Sequence, residues 1–248
     1  MTSATCLTVD VEDFYDGMAV LGQPITRPAD ARSGLSGLLS LLDPHPDATL
    51  TLFVVGNYAP AVETELAELV GAGHEIASHG PDHGRLPEER AALLEWLRRG
   101  KETVEDRVQR QVRGFRSPRF DVPRALGLAG FRDVLAEAGF SYVSDTHRLG
   151  GASPVAELPV LTTGGFPIGG GSYQRLVPFG AVRAAVGAAD GTSVLYYHSY
   201  DFGASLPSAK SIRSVALAKQ LVGRGRIAKV FGEVLKRYGS KACAHVER

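Results

Sequence analysis

The apolar positions of the chain fall into short β-branched runs that alternate with stretches of helical spacing. TCLTVDV (5–11) predicts a strand, SGLSGLLSLL (33–42) a short helix, and TLTLFVV (49–55) a second strand buried on both faces. AVETELAELVGAG (61–73) has helical spacing and stops on Gly71 and Gly73, which suit a C-cap. HEIAS (74–78) predicts a third strand. The longest helix is expected over 87–108, with Pro87 in its first turn and Leu93, Leu97, Val104 and Val108 near one face. GFRSP (114–118) and FSYVS (140–144) flank another helix at 131–138, and VLYYH (194–198) is the last clear strand. Residues 150–180 are rich in Gly and Pro and poor in charge, which predicts loops and short strands lining a cleft.

Strand–helix alternation argues for an α/β fold with a parallel sheet and helices outside it. Asp10, Ser78, Arg116 and His198 all stand where a predicted strand ends. In parallel α/β folds, sites collect at the carboxyl ends of strands. Their spread over several strands favours a barrel-like sheet over an open one with a single switch point. No domain boundary or internal repeat is visible, so residues 1–248 read as a single domain, with a basic helical tail at about 208–248.

Composition mainly excludes. Hydrophobic residues at 44% and charged residues at 22% describe an ordinary globular protein, and zero net charge gives no reason to expect a nucleic-acid partner. Cys6 and Cys243 form neither a disulfide framework nor a CxxC metal site. There is no signal-peptide pattern and no apolar window long enough to span a membrane, so a cytoplasmic protein is expected. The Gly169–Gly171 run lacks the strand–helix context of a phosphate loop. Charge is nevertheless uneven. Residues 208–248 carry ten Lys or Arg against two Glu, and Arg224, Arg226 and Lys229 gather around Gly223 and Gly225. The plain reading is a solvated helix face. The sharper one is peripheral contact with the anionic inner membrane face or a carrier phosphate, each cation contributing on the order of 1 kcal/mol.

Four clusters carry chemistry. VDVEDF places Asp10, Glu12 and Asp13 at the end of a buried strand, where three carboxylates repel one another unless a cation compensates. SHGPDH holds His79 and His83 four residues apart; on a short helix, for which Pro81 fits the first turn, both rings could share a metal. A His₂–carboxylate set with open positions is a hydrolytic site. His74, at the start of its strand, reads as structural. Arg116 in GFRSPRF can pair bidentately with a carboxylate. His198 in YYHSYD is the other histidine placed for acid–base work.

At these residues the chain resembles the polysaccharide deacetylases, the NodB-homology group of carbohydrate esterase family 4. TVDVEDF, GHEIASHGPDH and GFRSPRF resemble the family's first three blocks in order. ELPV…FPIGGGSYQRLVP followed by YYHSYD resembles the exosortase-linked subgroup, associated with exopolysaccharide biosynthesis. The resemblance implies a distorted (β/α) barrel with fewer than eight repeats and one divalent metal, usually zinc. By carry-over Asp10 is the general base, His79 and His83 are metal ligands, Arg116 orients Asp10, His198 is the general acid, and the Phe120 N–H helps hold the oxyanion. The carboxylate ligand is Glu12 or Asp13; Glu12 is favoured because it shares Asp10's face of the strand. Where the subgroup follows its last histidine with Pro-Trp-Glu, this chain has Ser199, Tyr200 and Asp201. Asp145, Glu157 and Asp201 are the candidate acidic partners of His198. The implied activity is removal of N-acetyl groups from amino sugars of a polysaccharide or its precursor, with an N-acetylated saccharide as partner. The alternatives are deacylation of a small N-acyl or O-acyl metabolite, and a non-catalytic sugar-binding protein on the same fold.

Overall fold

Seven short strands, all parallel, run in the order β6-β5-β4-β3-β2-β1-β7 in a computed structural model that describes residues 4–149, 151–207 and 221–246. They are β1 (Thr5–Val11), β2 (Thr51–Val54), β3 (Glu75–Ser78), β4 (Gly114–Phe115), β5 (Tyr142–Val143), β6 (Ala156–Glu157) and β7 (Ser193–His198). The two edges meet. Beyond β6, single parallel bridges join Val160 to Val194 and Gly170 to Tyr196, and the Tyr196 N–H donates to the Gly169 carbonyl at 2.8 Å. The sheet is therefore curled into a distorted (β/α) barrel with fewer than eight repeats, as expected. The Gly169–Gly171 run serves this seam: a Cβ on Gly169 would lie 2.8 Å from the Val194 carbonyl oxygen, and one on Gly170 would lie 2.7 Å from the Tyr196 ring. Close backbone approach is the reason for these glycines.

Alternation along each strand sorts the side chains. Leu7, Val9 and Val11 of β1 enter the large core with Leu35, Leu38 and Leu97 of the surrounding helices. Cys6 of β1 lies on the other side, in a smaller cluster with Phe53, Tyr142, Val194 and Cys243. That side is largely polar. Glu75 takes hydrogen bonds there from the Thr51 hydroxyl (2.7 Å), the Tyr142 hydroxyl (2.8 Å) and the Ala244 N–H (3.0 Å). The C-terminal segment is thereby tied to the amino ends of the strands. Its Ser240 Oγ accepts from the Leu7 N–H at 3.0 Å, and the Cys243 N–H donates to the Thr51 hydroxyl at 2.8 Å. The cysteines are both free and buried.

The α-helices bounded within the described residues are α1 (Phe14–Val20), α2 (Leu35–Leu42), α3 (Glu63–Gly71), α4 (Arg90–Val108), α5 (Gly127–Glu137), α6 (Gly171–Gln174), α7 (Phe179–Ala188) and α8 (Ile227–Tyr238). Pro87 stands outside α4, because the Glu89 side chain caps it by accepting from the Ala91 and Ala92 N–H groups. α5 begins at Gly127, earlier than its apolar spacing indicates. The basic tail contributes α8; its part at 208–220 lies outside the described residues.

One ion-pair group holds the weak edge of the barrel. Arg132 of α5 is fully buried and reaches Asp145 at 2.9 Å and Glu157 of β6 at 2.8 Å. β5 and β6 are only two residues long, so this cross-link supplements very few ladder bonds. Removing one member of a buried charge group leaves its partners uncompensated. We expect Arg132→Ala to lower unfolding stability by about 3–5 kcal/mol, measured by urea denaturation. A loss below about 1 kcal/mol would mean that Asp145 and Glu157 are solvated there.

Candidate metal and catalytic site

The carboxyl ends of β1, β3, β4 and β7 converge on one cavity of about 290 Å³, whose walls include Asp10, Glu12, His79, His83, Tyr196 and His198. Asp10 is the next-to-last residue of β1 and is 3% exposed. Arg116, directly after β4, is fully buried and donates through Nη1 to Asp10 Oδ1 at 2.7 Å and to the Thr8 hydroxyl at 2.9 Å. Its Nε and Nη2 donate to the Ser144 carbonyl and hydroxyl at 3.1 and 2.8 Å. The Phe53 ring lies 4.1 Å beneath the guanidinium carbon. The expected bidentate pairing with the carboxylate is thus replaced by a single bond, because Ser144 occupies the other edge of the fork.

Glu12 and Asp13 are separated by the end of the strand. Glu12, 5% exposed, meets His83 Nε2 at 2.5 Å and His79 Nε2 at 3.8 Å through Oε2. One ligand atom from each of Glu12, His79 and His83 can be chosen so that all lie within 4.8 Å of one another. Asp13 turns away. It caps α1, accepting from the Tyr15 and Asp16 N–H groups at 2.7 and 3.2 Å, and pairs with Arg27 at 2.9 Å. α1 is short and was not anticipated, although Asp13 ahead of FYDGM carries the cap signal.

His79 and His83 are brought together by a bend; the short helix expected there does not form. Gly80 adopts φ +81°, closed to most side chains, and a Cβ on it would meet the Trp96 ring at 2.2 Å. Gly100 of α4 lets the helix press on the same loop, since its own Cβ would sit 2.6 Å from the Pro81 nitrogen. The His79 Nδ1–H donates to the Arg116 carbonyl at 2.8 Å, which leaves Nε2 as a lone-pair donor facing Glu12.

The site's polar atoms fit a cation. Glu12 Oε2 and His83 Nδ1 are buried and make no well-formed hydrogen bond, although His83 Nε2 stands close to the carboxylate. Burial would raise the Glu12 pKa, but His83, His198 and His79 together hold it down to about 2. His79 is shifted the other way: burial outweighs Asp10 and Glu12 and lowers its pKa, favouring the neutral ligating form. Burial also works against charge on His83, yet Glu12 prevails and raises its pKa. Two imidazoles and a carboxylate with room beside them are the donor set of an open divalent-metal site.

His198 ends β7 beside Asp10, in register with it. Its Nε2 is 3.8 Å from Glu12 Oε1, and its Nδ1 is 3.5 Å from Asp201 Oδ2, too long for a good hydrogen bond. The Asp201 carboxylate also accepts the His198 backbone N–H at 3.0 Å. Among the three candidate partners Asp201 is the one at the ring, since Asp145 and Glu157 are both taken by Arg132. Burial lowers the His198 pKa, but Asp201, Glu12 and Asp10 outweigh it and raise it overall. Tyr200 stacks flat on the imidazole at 4.7 Å, and Tyr196 meets it edge-on at 5.7 Å. Neither tyrosine was singled out from the sequence, although Tyr196 stands two residues before His198 on the same strand face.

Arg119 and Phe120 take successive left-handed conformations, φ 56° and 57°, at about 1–2 kcal/mol each for non-glycine residues. This turn aims the Phe120 ring at Tyr196, 5.0 Å away. It also commits the Phe120 N–H to the Ser117 carbonyl at 3.0 Å, so the donor expected for an oxyanion is already engaged. His74 is structural, its Nδ1 accepting the Leu50 N–H at 3.1 Å.

Residues 32–143 match the polysaccharide deacetylase family, and residues 132–247 match a domain of unknown function, DUF3473. No curated protein matches the chain. Among solved structures, a putative polysaccharide deacetylase from Mycobacterium smegmatis superposes with a TM-score of 0.67 at 21% identity, covering 99% of this chain and 89% of that one. A family 4 carbohydrate esterase pseudoenzyme from Bacillus anthracis gives 0.57 at 10% identity, covering 99% and 66%. A family 4 acetyl xylan esterase from Clostridium thermocellum, in complex with a cobalt ion, gives 0.55 at 11% identity, covering 98% and 90%. At these identities the likeness is one of fold.

The separation of Glu12 from Asp13 is directly measurable. Glu12→Ala should lose a stoichiometric divalent ion by elemental analysis while staying folded. Asp13→Ala should keep the ion and lose about 0.5–2 kcal/mol of stability with its helix cap. The opposite order of metal retention would exclude Glu12 as the ligand.

Proposed function

We propose that this chain, a protein of the polysaccharide deacetylase family, is a metal-dependent hydrolase that removes N-acetyl groups from amino sugars of a polysaccharide or its precursor. The observation that carries this reading is one cavity holding a Glu12–His79–His83 donor set in which Glu12 and His79 are buried, an arginine-seated carboxylate and a histidine biased toward its protonated form. A divalent ion held by Glu12, His79 and His83, for which zinc suits the donor types, would supply Lewis acidity toward an acyl carbonyl and a water molecule.

The chain's own groups supply the rest. Arg116 occupies Asp10 Oδ1, and no hydrogen bond among the described residues engages Oδ2. That oxygen is the base that takes a proton from the attacking water. An amide nitrogen leaves only when protonated, so an acid is needed on the other side of the acyl carbon. His198 is that acid: Asp201, Glu12 and Asp10 favour its proton, and the Tyr200 ring fixes its plane. Tyr196, whose pKa burial raises, stays protonated and offers the cavity a neutral hydroxyl donor. Phe120, Tyr196 and Tyr200 give the cavity aromatic walls, against which an N-acetyl sugar can lay apolar surface.

Acetate release from N-acetylhexosamine oligomers is the test. The wild type should release acetate, lose the activity to a chelator, and regain it with added divalent metal. Asp10→Asn should keep the metal and lose at least about a hundredfold in kcat, within the range attributed to general-base catalysis. Release of acetate by Asp10→Asn at near wild-type rate would remove Asp10 from the mechanism. Activity only on small N-acyl or O-acyl metabolites would replace the saccharide reading.

A further inference from the structure

Six large apolar side chains are more than a third exposed among the described residues: Val20, Leu21, Phe166, Tyr173, Leu176 and Val222. Single exposed apolar residues are ordinary, but these are linked around one opening. Leu21 and Tyr173 both line the mouth of the catalytic cavity. Phe166 meets Tyr173 ring to ring at 5.4 Å, presented by a tight turn through Gly164 and Gly165, both at positive φ. Leu176 lies one turn on, its N–H bonded to the Tyr173 carbonyl at 2.9 Å. Val222 precedes Gly223, where a Cβ would come within 3.0 Å of the Arg175 carbonyl, so Val222 adjoins the Arg175–Leu176 backbone.

The same edge is basic. Arg226 donates through Nη1 to the Arg175 carbonyl at 3.2 Å, and Arg224, Arg226 and Lys229 crowd the start of α8. A helix N-terminus already carries partial positive charge, so cations there are unfavourably placed for the helix itself. α8 has no acidic residue in its first turn and no side-chain cap to relieve this. Exposed apolar side chains flanked by cations are a surface that settles on an anionic bilayer, the former entering the interface and the latter meeting lipid phosphates. No helix among the described residues is long and apolar enough to cross a membrane.

We propose that the rim of the catalytic cavity is a docking surface for an anionic lipid bilayer, which sets the cavity mouth at the headgroup level. The acyl group cleaved does not enter this argument, so the proposal stands apart from the reading of the chemistry.

The test is co-sedimentation of the full chain with vesicles of phosphatidylcholine alone or mixed with phosphatidylglycerol. Two variants leave the cavity-lining residues untouched: Arg226→Gln with Lys229→Gln, and Leu176→Asp with Val222→Asp. The wild type should bind the anionic vesicles at low salt and release them as salt rises. Each double variant should bind about tenfold less, with an unchanged circular dichroism spectrum and unchanged turnover of a soluble substrate. Equal binding to both vesicle types, no binding to either, or wild-type binding by both variants would overturn the proposal. So would loss of binding to soluble oligosaccharides with vesicle binding intact, which would make the rim a glycan surface.

Discussion

Arg116 is the point on which the carboxyl end of the barrel depends. A fully buried guanidinium is tolerated only when its donors are met and its charge is balanced. Here Thr8, Asp10 and both oxygens of Ser144 do so, drawing the ends of β1, β4 and β5 to one centre. The arginine's carbonyl then fixes His79. One residue therefore seats the candidate base Asp10 with its side chain and a metal-ligand candidate with its backbone. Substitution by lysine would keep the charge and lose the planar fork that ties β1 and the end of β5 to β4.

The acidic turn shows how little separates a candidate ligand from a helix cap. Glu12 and Asp13 are adjacent and equally buried, and both are carboxylates. Their roles differ because β1 keeps its extended path through Val11, which leaves Glu12 on Asp10's side and gives Asp13 to the start of α1. The histidine-rich field around Glu12 then stabilises its ionised form, whereas Asp13 is satisfied by backbone N–H groups and Arg27.

Much of this was legible in the sequence, for a physical reason. Strand ends in a parallel fold converge, so Asp10, Arg116 and His198 could be assigned to one face without knowing any distance. Buried strands such as those at 5–11 and 194–198 were plain because each is a short run dominated by apolar, β-branched or aromatic residues. What escaped depends on tertiary contact. The 79–83 segment looked helical by spacing, but Trp96 and Gly100 of α4 press it into a bend. Asp201 could not be chosen over Asp145 and Glu157 until Arg132 was seen to claim both of the latter. The glycine run at 169–171 looked like loop and is the barrel seam. Tyr200's stacking on His198 has no periodic signal, since it lies in a turn after the strand.

The placement of β1 between β2 and β7 bears on how the protein is made. Its Asp10 is in register with Phe53 on one side and with His198 on the other, and its arginine comes from position 116. During synthesis the first strand can pair with β2 early, but its second neighbour, Ser193–His198, is translated long after it. Closing so long a loop is entropically slow, and topologies rich in distant pairings fold slowly. Until β7 arrives, one edge of β1 is an unpaired strand edge, the kind of template that recruits other chains. The candidate site is thus complete only once β7 has paired, and nascent or truncated forms lacking β7 would lack His198 and be prone to associate.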